Sequence, residues 1–106
     1  MVQMAIAQKM NPQEMAEYQN KIMFEKLDLN ESQKEKLTAH NIEFSEKQAT
    51  LMNREGSMFS KIGEVKKLKK LRNAELEKIL SKSQMEVFED DIEPEIRSYM
   101  RSKMKG

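Results

Sequence analysis

The residues of this 106-residue chain with the clearest chemical potential are one histidine, His40, ten methionines and a run of cations. Imidazole nitrogen and thioether sulfur can both hold soft or borderline metals. His40 is therefore the one candidate metal ligand, and a pair of copies meeting across a dimer axis would be needed to build on it. Zinc asks for three or four good ligands, and the chain has no cysteine to supply them. The expectation is a histidine packed at the edge of an apolar helical stripe, with no metal and no other cofactor assigned.

A second chemistry is written in charge. From Lys61 to Arg72 the chain carries Lys61, Lys66, Lys67, Lys69, Lys70 and Arg72 against one acid, Glu64. On a helix, Lys66, Lys67 and Lys70 fall opposite the apolar stripe and form an exposed cationic face. Such a face speeds the approach of acidic, unfolded chains. Met52, Met58 and Phe59 crowd around Gly56, where turns are ordinarily polar. Methionine is flexible and polarizable, and suits surfaces that accept many shapes. Met52, Met58, Phe59, Lys66, Lys67 and Lys70 are thus the candidate surface for gripping unfolded polypeptide. Enzymatic chemistry has no comparable support: the sequence offers no nucleophile–base motif, no Gly-rich phosphate loop and no metal-ligand cluster.

The elements that must position these residues read as helices. Charged residues make up 35% and hydrophobics 38%, with three glycines, which fits a soluble helical chain with a thin core. A net charge of +1 argues against a nucleic-acid binder, and no apolar run approaches bilayer length. Residues 1–10 read as a disordered terminus or the remnant of an export signal, because Ala5-Ile6-Ala7 has the small-x-small form of a signal-peptidase site. Residues 11–106 read as one all-α domain. Asn11-Pro12-Gln13-Glu14 is a helix start with a capping box, and Met10 with Met15 makes its hydrophobic staple. That helix is expected to end near Leu27. Asn30 caps a long helix running to about Arg54, and Asn53–Ser57 is the turn. A return helix begins between Ser57 and Gly63 on a stripe of Ile62, Val65, Leu68, Leu76, Ile79 and Leu80. Lys69 and Arg72 intrude on that stripe, and their stems are expected to snorkel along it. Ser81 caps a fourth helix, Pro94 should break or kink it, and a short helix from Glu95 to about Lys103 closes the chain.

Leu29-Asn30-Glu31-Ser32-Gln33 returns as Leu80-Ser81-Lys82-Ser83-Gln84. Each copy is physically a helix N-terminus, with the leucine anchoring the corner, Asn30 or Ser81 as cap, and Gln33 or Gln84 reaching back to the cap's own N–H. The pair, flanking one long helical hairpin, resembles the Spy/CpxP-like family of periplasmic helical proteins, whose signature is a repeated Leu-Thr-x-x-Gln. Asn30 and Ser81 stand where that family has threonine, and both can cap. The resemblance implies an exported protein of the Gram-negative periplasm, an ATP-independent chaperone or envelope-stress protein that holds unfolded clients. It also implies a cradle-shaped antiparallel homodimer. Metal-responsive periplasmic proteins of the same build, and a helical-hairpin module with one fixed partner, are the alternatives.

Overall fold

The helices begin where a polar side chain can satisfy free backbone N–H groups. The computed structural model describes residues 10–105, and side chains as far as residue 103. Helix α1 (Pro12–Lys26) starts on Asn11, whose Oδ1 accepts from the N–H groups of Gln13 and Glu14 at 3.0 and 3.1 Å. Helix α2 (Glu31–Asn53) starts on Asn30, α3 (Met58–Ile79) on Ser57, and α4 (Lys82–Val87) on Ser81. A π-helical turn, Phe88–Ile92, carries the chain without a break into α5 (Glu93–Lys105). The described residues contain no strand, and the fold is all-α.

Helices α2 and α3 form the expected antiparallel hairpin, folding back at Gly56. This residue has φ +118°, a region that side chains resist, and an added Cβ would lie 3.0 Å from Ser60 Oγ. Helix α1 runs antiparallel along α2, so that Met10 lies beside Asn53. The Met10 N–H donates to Asn53 Oδ1 at 2.8 Å, and Asn53 Nδ2 donates back to the Met10 carbonyl at 3.0 Å. Helix α5 in turn runs antiparallel to α1. Lys26 pairs with Glu95, Tyr18 stacks on Tyr99 with ring centroids 3.8 Å apart, and Lys103 pairs with Glu14.

The main core gathers Ile22, Met23 and Leu27 of α1, Leu37 of α2, Leu76 and Leu80 at the end of α3, and Met85, Phe88, Ile92 and Ile96 beyond it. All ten are apolar and buried, and the corner leucines Leu80 and, partly, Leu29 belong to this cluster. Core side chains thus surround the end of the hairpin away from Gly56. Toward Gly56 the packing thins, and in the first half of α3 the one buried residue is Lys61.

Several details depart from the sequence reading. Pro94 neither breaks nor sharply ends the helix. The preceding turn opens to a π-helix, in which the Glu93 N–H reaches back five residues to the Phe88 carbonyl. That wider turn accommodates a proline, which has no N–H to donate and crowds the turn before it. Glu14 does not close a capping box, because its carboxylate is engaged by Lys103 of α5. Met10 belongs to the folded body, packing with Met15 as the staple anticipates. Ala5-Ile6-Ala7 lies outside the described residues.

Gly56→Ala should lower unfolding stability by about 1–2 kcal/mol, since φ is positive and Ser60 must shift. Urea unfolding of the two proteins measures this; equal midpoints would show that the turn relaxes freely.

Candidate functional site

The two Leu-x-x-x-Gln phrases make two helix starts and then meet. In the first, Asn30 Oδ1 accepts the Gln33 N–H at 2.8 Å and Gln33 Oε1 accepts the Asn30 N–H at 3.1 Å. In the second, Ser81 Oγ accepts the Gln84 N–H at 3.1 Å and Gln84 Oε1 accepts the Ser81 N–H at 2.9 Å. Each glutamine amide then crosses to the other copy. Gln33 Nε2 donates to the Ile79 carbonyl at 3.0 Å, and Gln84 Nε2 donates to the Asp28 carbonyl at 2.7 Å. Those carbonyls belong to the residues immediately before Leu80 and Leu29, so the exchange is two-fold related. The amides also bond each other, Gln33 Nε2 to Gln84 Oε1 at 2.8 Å and Gln84 Nε2 to Gln33 Oε1 at 3.4 Å. Every donor and acceptor position of both amides is in use. Leu29, Asn30, Gln33, Leu80, Ser81 and Gln84 are therefore brought together as a structural clasp.

The cations from Lys61 to Arg72 divide into two populations. Lys61 and Arg72 are buried, with 4% and 7% of their surface exposed. The Lys61 ammonium donates to the Met52 carbonyl at 3.0 Å and to the Arg54 carbonyl, closing the free end of α2 where the helix dipole favours a cation. Arg72 does not snorkel outward. Its guanidinium lies 5.0 Å from the Phe88 ring centroid and 5.6 Å from that of Phe44, and pairs with Glu93 at 3.6 Å. Lys69 and Arg97 reach the same carboxylate at 3.5 and 2.9 Å. Burial works against ionised Glu93, but Arg72, Arg97 and Lys69 outweigh it and hold the carboxyl below its ordinary range. The sequence places Lys69 and Arg72 on the apolar stripe, with stems snorkelling along it, but does not show the rings and the carboxylate that the Arg72 guanidinium meets.

Lys66, Lys67 and Lys70 are exposed, and none makes an ion pair among the described residues. The only acid of the stretch, Glu64, is taken by Arg54. Near them stand uncovered apolar side chains: Phe59 at 86% exposure, Leu71 at 61%, Met58 at 54% and Ile62 at 40%. Met52 differs from its predicted companions. It is half-buried and packs against Met10, Met15 and Ala49. Two exposed apolar residues, Ile62 and Leu71, were not singled out from sequence, where Ile62 was placed on the core stripe.

His40 lines an open groove between α2 and α3, with Phe44, Leu68, Leu71 and Ile79 as its apolar walls. Its ring lies nearly parallel to that of Phe44, with centroids 6.1 Å apart. Its Nε2 is buried without a hydrogen-bond partner among the described residues. Burial lowers its pKa, and Arg72 adds to this while Glu75 and Glu43 oppose it. No group of three or more His, Cys, Asp or Glu side chains converges on a common point among the described residues. No helix there is long and apolar enough to cross a membrane.

A family model described as "Domain of unknown function (DUF4890)" matches residues 3–88, and the chain belongs to that family. The matched span contains both phrases and the whole hairpin, and it ends at Phe88. No curated protein and no solved structure matches the chain.

Gln33→Met and Gln84→Met should each reduce stability by about 2 kcal/mol, by orphaning cap and carbonyl groups. The double variant should lose less than the sum by about 1 kcal/mol, because the two amides bond each other. Strict additivity in a double-mutant cycle would argue against the clasp. His40 gives a pH signature. The unfolded chain takes up a proton near the ordinary pKa of 6.5, the folded chain only lower. The unfolded state therefore binds more protons in this window, and stability falls as pH drops through and below 6.5. Denaturant midpoints for His40→Leu should be flatter across the same window; an unchanged slope would assign it to other groups.

Proposed function

For a chain of this family, we propose an ATP-independent, chaperone-like role in which the outer side of α3 holds unfolded polypeptide. The observation that carries the reading is a mismatch on one helix. Met58, Phe59, Ile62 and Leu71 are uncovered on the same stretch that bears Lys66, Lys67 and Lys70 without acidic partners. Single exposed apolar residues are ordinary, but several along one helix mark a contact surface. The lysines would draw in acidic, extended chains, and the flexible or aromatic side chains would hold them once water is displaced.

The paired phrases support the same reading from another direction. The Spy/CpxP-like resemblance implies an envelope-stress or client-holding protein, exported to the periplasm and working as an antiparallel homodimer. The hairpin clasped at one end, with its Gly56 end thinly packed, suits that role: the base supplies rigidity and the far arm supplies surface. Non-enzymatic holding also agrees with the charge and apolar pattern being the notable feature of α3.

Aggregation of a chemically unfolded acidic client, followed by light scattering, tests the assignment. Met58→Ser/Phe59→Ser/Ile62→Ser should lose most of the suppression with an unchanged thermal melt. Lys66→Gln/Lys67→Gln/Lys70→Gln should weaken client affinity and remove its dependence on salt, which screens such attraction over about 8 Å at physiological strength. Full activity in both variants would reject α3 as the holding surface.

A further inference from the structure

The second, smaller core differs in kind from the first. It consists of Met10, Met15 and Ala49, with Met52 and Met100 packed against it. Four of these five side chains are thioethers, and among the described residues no branched aliphatic or aromatic residue belongs to the cluster. It joins three elements at the thin end of the molecule. Met10 and Met15 flank the start of α1, Ala49 and Met52 lie one turn apart near the end of α2, and Met100 comes from the second half of α5. Met100 packs against both this cluster and the main core, and so connects them.

The surroundings leave little in reserve. Ser45, Gln48, Ala49 and Met52 follow helical spacing on one face of α2. Ser45 Oγ and Gln48 Oε1 are buried there and find no hydrogen-bond partner among the described residues. Ala49 is too small to fill space that a neighbour vacates. Met10 and Met15 are buried, whereas Met52 and Met100 are half-buried and within reach of a small reagent.

We propose that Met52 and Met100 form an oxidation site, at which a peroxide-class oxidant converts the methionine core from packed to open. In each event the oxidant's O–O bond breaks and one oxygen bonds to Sδ as S=O. The sulfur gives up two electrons, and the second oxygen leaves as water after taking the remaining protons. Methionine sulfoxide is polar, and among the described residues none of the side chains of the cluster can donate a hydrogen bond to it; the nearest unpartnered donor is the Ser45 hydroxyl, two turns back from Met52. The favourable outcome is for α5 and the end of α2 to separate and place the S=O groups in water. The Gln33–Gln84 corner stays closed, since its core is mostly branched aliphatics and Phe88. Opening uncovers Met10, Met15 and the adjoining faces of α1 and α5. This inference does not rest on the client-holding reading, because it concerns a different face and is read without any client.

The experiment is titration of the intact protein with hydrogen peroxide, with sulfoxides located by peptide mass mapping and apolar surface followed by a hydrophobic dye. Dye fluorescence should rise several-fold in step with sulfoxide at Met52 and Met100, with helical circular dichroism largely kept, and fall back after treatment with methionine sulfoxide reductases. Met52→Leu/Met100→Leu conserves volume and packs in the same space. It should fold, lose the dye response, and still be oxidised at exposed Met58. The proposal is overturned if both proteins respond alike, if Met52 and Met100 are fully oxidised with no rise in dye, or if they resist oxidation while Met58 is consumed. Should the double variant not fold, Met100→Leu alone carries the same comparison.

Discussion

Two primary amides, those of Gln33 and Gln84, hold the architecture together where the starts of α2 and α4 meet. Each serves its own helix start and the backbone of the other, so local capping and long-range closure are the same set of bonds. This makes the corners interdependent. A cap lost at Asn30 frees Gln33, and a freed Gln33 leaves the Ile79 carbonyl without its amide donor and takes one partner from each end of the Gln84 amide. The clasp sits at the edge of the main core, which holds Leu80: its capping bonds are exposed, and the bonds between the two amides are part-buried. The repeated phrase therefore has a physical reason: two-fold exchange needs the same donor, acceptor and anchor on both sides.

Moving from the clasp toward Gly56, the chain trades apolar packing for polar fastenings. Arg72 sits between two aromatic rings and beside a carboxylate, Lys61 seals the end of α2, and Asn53 holds the backbone of Met10. A buried cation is costly unless it is partnered, and both of these are. The ten buried apolar residues of the main core gather at the other end, and such fastenings help the long hairpin stay ordered toward Gly56. The same economy leaves α3 with an outer side on which apolar and cationic residues have no internal use. The surface proposed for clients and the thin packing beneath it share one cause.

Much of this was legible from residue types. Asn11, Asn30 and Ser81 announce helix starts because their side chains compete for backbone N–H groups. Gly56 announces the turn because other residues resist positive φ. The staples Met10/Met15 and Leu80/Met85 follow from fixed offsets. What sequence did not reveal depends on pairings distant in the chain. Gln33 reads as a complete capping box, with nothing to show that its second donor hydrogen belongs to another corner. Arg72 reads as a cation snorkelling along the apolar stripe and Lys61 as one of a cationic run, because their partners Glu93, Phe88 and the α2 carbonyls arrive only through folding. Pro94 reads as a break, since the π-turn that absorbs it depends on Phe88 and Ile92 being held in the core. Among the candidate surface residues, Met58, Phe59, Lys66, Lys67 and Lys70 are exposed as read, and Met52 was drawn inward by methionines that only the antiparallel arrangement brings near.

A clasp that ties Asp28 to Gln84 and Gln33 to Ile79 turns everything between into a loop closed at its neck. Such a loop is also pinned at its far end, where Asn53 bonds the Met10 backbone. Matched pairs of helical turns added to α2 and α3 would keep the neck, but α1 would have to lengthen equally to keep that second tie. The reach of the hairpin and the length of the helix beside it are thus set together.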